Sequence, residues 1–204
     1  MKHAGTDSNV SIVLYGDKGK SDDIKLKSDK SSFESGKCDE FKIETNDIGQ
    51  PFKLRVFHDN SGSFPGWHLD RIELENMATK ERYFFTCNRW LSKDEDDKQI
   101  VRELPAEAEF IRKPLKVVKY TVEVHTGDKR NAGTDANVFI NIFGDLGDTG
   151  ERSLERSETN KNSFERAQID VFKIEAVTLK QLKKIRIGLK RIFSQIFLYI
   201  IQLN

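Results

Sequence analysis

Apolar and polar residues alternate along this chain in short runs rather than at helical spacing. Val118, Tyr120, Val122 and Val124 are separated by Lys119, Thr121 and Glu123, the period-2 pattern of a strand with one buried face. Similar runs occur at 9–15, 39–44, 52–57, 69–75 and 82–87, and then at 118–125, 137–143, 170–175 and 183–188. Gly16-Asp17 and Gly144-Asp145 supply turns, and residues 59–66 (DNSGSFPG) read as a long loop. Short strands at this spacing predict an all-β, antiparallel sandwich. Helical spacing is clear in one place, the C-terminal tail. There Leu189, Ile192, Phe193, Ile196, Phe197 and Ile200 recur at i, i+3, i+4 and i+7, which predicts a partly helical, amphipathic segment over 189–204. Its apolar part falls far short of the roughly 20 residues that span a bilayer.

The runs belong to a duplication. Residues 4–19 read AGTDSNVSIVLYGDKG and residues 132–147 read AGTDANVFINIFGDLG; KSSFESGKCDEFKIE at 30–44 returns as KNSFERAQIDVFKIE at 161–175. A weaker match links FKLRV at 52–56 with KKIRI at 183–187. Internal repetition of this kind means repeated structural units. The expected division is a first repeat at 1–105, a linker at 106–116, a second repeat at 117–188 and a divergent tail at 189–204. The first repeat lacks the strand that the second has at 118–125, and the second stops short of the 58–92 region of the first. Because 118–125 directly follows the first repeat, it is also a candidate to complete that repeat, as in a circular permutation.

Composition narrows the function. Lys and Arg number 34 against 33 Asp and Glu, for a formal charge of +1, so no global field attracts nucleic acid. The 14 Phe supply large side chains for a β-rich core. Cys38 and Cys87 are the two cysteines, too few for a disulfide framework or metal cluster, and are expected to be buried and reduced. The opening Met-Lys-His-Ala-Gly lacks an apolar signal core, which fits a reducing, cytoplasmic setting. His3, His58, His68 and His125 form no HExxH, and the chain has neither a Gly-x-Ser-x-Gly elbow nor a phosphate-binding loop. An enzyme is not expected.

AGTDxNVxIxxxGDxG, then SFExxxxDxFKIE, then LRVFHDNSGxxPGWHLDxIEL, then the segment from Tyr83 to Leu91 resemble, in order and spacing, the PLAT (lipoxygenase-homology, LH2) domain family. The resemblance covers most of 4–104 and about 118–188. Tandem copies without a catalytic domain are similar to multi-repeat members of hair-cell stereocilia. The resemblance implies sandwiches of two four-stranded sheets that serve as accessory binding modules at the cytoplasmic face of the plasma membrane. It also implies recruitment to a lipid surface or to membrane or cytoskeletal proteins, in some members with Ca2+ held in end loops. Oxygen ligands suit Ca2+, and the matching residues of the first repeat are Asp7, Asn9, Asp59, Asn60 and Ser61. Turn capping is the competing reading of the same residues. In the second repeat Asp135 and Asn137 remain, but Lys190 and Arg191 stand where Asp59 and Asn60 would be, so Ca2+ is expected in the first repeat only.

Contact residues for a membrane or partner are drawn from the loop tip, where Phe64 is the best candidate for insertion. Trp67 and Trp90 suit core or sheet-end packing better, with Trp67 kept as a contact candidate. The basic run Arg112, Lys113 and Lys116, with Lys119, is either a contact for anionic lipid or a solvated linker. The expected function is therefore a non-enzymatic adaptor between membrane and protein partners. The rival readings are a protein-binding spacer without lipid or metal affinity, and a regulatory fragment of a lipid-metabolising enzyme.

Overall fold

In each repeat the NVxIxxxG run places large apolar residues on a strand that a Gly-Asp turn closes, and this strand becomes the middle of a sheet. The computed structural model describes residues 4–26, 31–190 and 196–202, the last stretch by its backbone alone. It divides into two compact units, Met1–Val117 and Val118–Asn204.

The first unit contains β1 (Val10–Gly16), β2 (Gly19–Lys20), β3 (Ile24–Lys25), β4 (Pro51–His58), β5 (Trp67–Glu75), β6 (Arg82–Leu91) and β7 (Val101–Pro105). One antiparallel sheet has the order β2-β1-β4-β7, with β3 also on β1, and a separate β5-β6 hairpin supplies the other layer. Val10 faces His58 and Leu14 faces Leu54 across β1-β4, while Lys53 faces Pro105 across β4-β7. Because side chains alternate across a pleat, Val10, Ile12, Leu14, Leu54 and Val56 share one face and pack against Trp67, Leu69, Tyr83 and Phe85 of the hairpin. Fully burying one such side chain is worth about 1.5–3 kcal/mol, so this shared core is the main source of the unit's stability.

The second unit repeats the first sheet. It contains β8 (Val117–His125, which starts at the boundary), β9 (Asn137–Gly144), β10 (Gly147–Asp148), β11 (Arg152–Ser153), β12 (Ile169–Val177), β13 (Leu182–Lys190) and β14 (Ile196–Gln202). The sheet order is β10-β9-β13-β14, with β11 also on β9. Even the bulge recurs: Tyr15 and Gly16 face Lys53 and Pro51, as Phe143 and Gly144 face Lys184 and Leu182. The chain returns past this bulge by the same backbone bonds, from Lys18 N–H to Ile48 O and from Leu146 N–H to Leu179 O.

Four sequence expectations change. The tail is not helical over 196–202: β14 pairs antiparallel with β13, Ile187 facing Tyr199, on the edge that β7 occupies on β4. The sheet edge needs a backbone partner, and that demand overrides the 3.6-residue apolar spacing; residues 191–195 lie outside the described residues. Second, 39–44 is not a strand, although its repeat at 170–175 lies within β12. Third, β8 pairs with β12 inside its own unit and so does not complete the first repeat. Fourth, both cysteines are free thiols, but Cys38 is exposed and Cys87 half-buried.

The segment 106–116 begins as part of the first unit. Ala106 N–H donates to Phe52 O, Glu107 bridges to Phe84, and Phe110 stands edge-on to Tyr83 with ring centroids 5.4 Å apart.

Candidate functional site

The loop before β1 and the loop after β4 meet at one end of the first unit because β1 and β4 are neighbours. Thr6 Oγ1 donates to Pro65 O at 2.9 Å and Ser8 Oγ donates to Ser61 O at 2.7 Å. Asp7 clamps the loop tip in both directions: its N–H donates to Phe64 O, and its Oδ2 accepts from the Phe64 N–H, each at 3.2 Å. The approach is close enough to exclude a side chain at Gly62, whose φ is +85° and whose added Cβ would lie 2.5 Å from Asp7 Cβ.

Asp59 is the hub of this end. It accepts from Asn9 N–H at 3.1 Å, Asn9 Nδ2 at 2.6 Å, Ser61 N–H at 3.0 Å and Ser61 Oγ at 2.5 Å. Partial burial pushes its carboxyl pKa up, but the bonds from Ser61 and Asn9 outweigh that effect and hold it well below the usual carboxylate range. Asp59 is therefore ionised across the physiological range. Asn60 sits at φ +58°, and its Oδ1 is buried without a hydrogen-bond partner. An acceptor withdrawn from water in this way is costly unless something donates to it or coordinates it. Among the described residues, no group of three or more His, Cys, Asp and Glu is placed to hold a metal. Any cation here would depend on Asp7 and Asp59 for charge and on amide and hydroxyl oxygens for the rest.

His58, which sequence reasoning passed over, anchors this loop from beneath. It is 2% exposed; its Nδ1 accepts from Asn60 N–H at 3.1 Å, which leaves Nε2 to donate to Leu91 O at 2.9 Å. Burial pushes its pKa down and favours the neutral ring that this arrangement requires. The available signal was its place immediately before Asp-Asn-Ser-Gly, on the inward side of β4.

The contact candidates separate. Phe64 is 70% exposed at the loop tip. Trp67 is 8% exposed and stands edge-on to Phe33 in the core, centroids 5.4 Å apart, so it is unavailable to a partner and leaves the contact set. Trp90 is half-buried against His68. Arg112, Lys113 and Lys116 are exposed, and among the described residues no ion pair engages them. The nearby Phe110 and Val117 are 46% and 43% exposed, which gives this basic stretch an apolar component.

The second unit differs at the matching end. Lys190 faces Asn137, as His58 faces Val10 one step from Asn9 in the first unit, and its Nζ pairs with Glu151 at 2.7 Å. A paired cation stands where Asp59 stands in the first unit; Arg191 lies outside the described residues. The next described element after β13 is β14, which starts at Ile196. Among the described residues the loop 131–137, Glu165, Arg166 and Lys190 line an open cleft of about 850 Å³ there.

A repeated antiparallel sheet with a second layer defines a β-sandwich module. Residues 1–102 and 120–203 match the PLAT/LH2 domain, and the chain belongs to this family. It is 45% identical over 187 residues to human lipoxygenase homology domain-containing protein 1, covering 92% of this chain and 9% of that protein. Mouse polycystin family receptor for egg jelly is 42% identical over 93 residues, covering 45% of this chain and 4% of that protein. A solved lipoxygenase in complex with arachidonate is 28% identical and covers 52% of this chain and 15% of that one, with a TM-score of 0.45. The chain thus spans less than a tenth of these two curated relatives.

Proposed function

We propose that this chain is a non-enzymatic adaptor in which the loop end of the first unit docks on a membrane surface, while other surfaces hold membrane or cytoskeletal proteins at the cytoplasmic side. The observation that carries this reading is Phe64, an exposed aromatic ring at the tip of a loop clamped by Thr6 and Asp7. A preorganised apolar tip can enter an interfacial layer without first being ordered. Arg112, Lys113 and Lys116, without an ion pair among the described residues, follow the other end of β4, where Ala106 N–H donates to Phe52 O, and would make a separate contact with anionic headgroups, about 1 kcal/mol for each cation near a surface. His58, His68 and His125 lie in separate settings, bonded to Leu91 O, edge-on to Trp90 and paired with Glu123 respectively.

Ca2+ would be held in the first unit only, by oxygens of Asp7, Asn9, Asp59, Asn60 and Ser61. The orphaned Asn60 Oδ1 supports that set. With two carboxylates and both Asp59 oxygens already accepting hydrogen bonds, the site would be weak, in the range of about 10⁻⁴–10⁻³ M. The ion would add positive charge beside Phe64 and strengthen contact with anionic lipid.

Co-sedimentation of the full chain with phosphatidylserine vesicles, with and without Ca2+, tests the reading. Binding that rises with Ca2+ and falls in Phe64→Ser is expected. Absence of binding in both conditions defeats the membrane reading and favours a protein-binding spacer.

A further inference from the structure

Three successive main-chain donors hold the start of the loop after β4. Asp59 N–H donates to Asn9 O at 3.3 Å, Asn60 N–H to His58 Nδ1 at 3.1 Å and Ser61 N–H to Asp59 Oδ1 at 3.0 Å. The first and third end on groups of the loop cluster itself. The second ends on a ring that is 2% exposed, whose Nε2 donates to Leu91 O at 2.9 Å. Leu91 closes β6 and is fully buried, facing Trp67 across the hairpin. The imidazole therefore spans the two layers of the sandwich and ties one amide of the loop to the hairpin. That amide belongs to Asn60, which has φ +58° and a buried Oδ1 without a hydrogen-bond partner. A left-handed backbone is sparsely populated by residues other than glycine and persists where the surroundings hold it. The second unit lacks this arrangement. Val138 faces Leu189 in the register in which Val10 faces His58, so an alkyl side chain stands where the ring stands. Leu189 packs on the second core and has no atom that accepts a hydrogen bond. The next residue is Lys190, paired with Glu151, where the first unit has Asp59. The buried acceptor and the carboxylate hub occur together in one repeat and are replaced together in the other.

We infer that His58 is a positioning residue of the loop end: through Nδ1 it fixes the left-handed turn at Asn60, and so sets the place of the Asn60 oxygen that would complete a Ca2+ site. The inference rests on the Ca2+ reading proposed above for its ion, but the turn is held without one. His58 is not itself a ligand, because both ring nitrogens are committed, one to Asn60 and the other to Leu91. Chemistry separates these two bonds. The oxygen of a shorter Asn side chain lies near the position of Nδ1, and the terminal amide of Gln lies near that of Nε2. His58→Asn therefore keeps the acceptor for Asn60 and gives up Leu91. His58→Gln keeps the donor to Leu91 and leaves the Asn60 N–H unmet.

Amide NMR of the full chain tests both halves of this inference. Without Ca2+, exchange of the Asn60 amide should accelerate roughly five- to tenfold in His58→Gln and stay near the native rate in His58→Asn. In a Ca2+ titration, the shifts of the Ser61 and Gly62 amides should report an affinity roughly tenfold weaker in His58→Gln than in His58→Asn. Each variant loses one bond of the same ring, so a merely structural His58 would weaken the two alike. Equal exchange in the two variants overturns the proposal. Exchange that differs while the Ca2+ affinities agree overturns it too, because the turn would then not serve the ion. If the native chain shows no Ca2+-dependent shift, the Ca2+ reading falls, and the exchange comparison alone decides whether His58 holds the turn. If either variant fails to fold, the native chain decides. Its Asn60 amide should exchange as slowly as the amides of β4, and exchange at the rate of an open loop overturns the proposal.

Discussion

Asn9 Nδ2 lies 2.6 Å from Asp59 Oδ2 and ties the loop before β1 to the loop after β4. Two residues fifty positions apart thereby become one polar cluster, with Ser61 as its third member. Ca2+ between 0.1 and 5 mM, bracketing the affinity range expected of so few carboxylates, should raise the thermal midpoint of the first unit. Asp59→Ala should abolish that rise. Trp67 and Trp90 both lie in this unit, so tryptophan fluorescence reports its unfolding separately from the second unit. A Ca2+ response of equal size in Asp59→Ala would remove the metal reading.

His58 makes the stability of the first unit depend on pH. Burial lowers its folded pKa below the ordinary 6.5, so the unfolded chain binds the proton first. Its contribution is present above 6.5 and is lost as pH falls from there through the folded value. Urea midpoints by tryptophan fluorescence should decline across that window, and His58→Gln should remove most of the decline. A profile identical in the variant would show that other groups carry it.

Lys53 and Glu103 form a fully buried ion pair, with Lys53 Nζ at 3.2 Å from each carboxylate oxygen and 4.1 Å from the centre of the Tyr15 ring. Lys53→Met leaves a buried carboxylate without its cation and should cost about 3–5 kcal/mol, whereas replacing both, with Glu103→Leu, should bring stability back to near the native level. Denaturation of the three proteins checks this; equal losses in the single and double variants would mean that packing, not charge, matters at the site.

The edge of β13 depends on β14. Ile200 faces Arg186, so Ile200→Pro puts a residue without an N–H into the ladder. Exchange of amides in 184–190 should accelerate, and the protein should aggregate more readily because a sheet edge is exposed. Unchanged exchange would mean that the β13-β14 pairing contributes little in solution.

Local pattern made much of this legible. Gly-Asp turns and NVxIxxxG runs specify β1 and β9 wherever they occur, because a strand with apolar alternation needs only a face to bury. The duplication likewise announced that one arrangement would appear twice. Short strands without such alternation were not legible: β7 is Val-Arg-Glu-Leu-Pro, and its charged Arg102 and Glu103 are buried through ion pairs that no local rule anticipates. At the loop end, Asp59 and Asn9 were readable as oxygen donors, but His58 as the anchor beneath them was not.

By itself, the sequence determined that the chain is all-β and that it is duplicated, while the meeting of its polar loops at one end of the first repeat was only what the family resemblance implied. Fold class and duplication follow from periodicity, turn chemistry and self-similarity, which act within a few residues. Only the tertiary structure decided which runs become strands. FKIE is a strand in the second unit, where β8 supplies a partner, and not in the first, where no strand among the described residues pairs with it. Residues 196–202 carry helical spacing but pair with β13. A strand is completed by the hydrogen bonds of its neighbour, and the neighbour lies elsewhere in the chain.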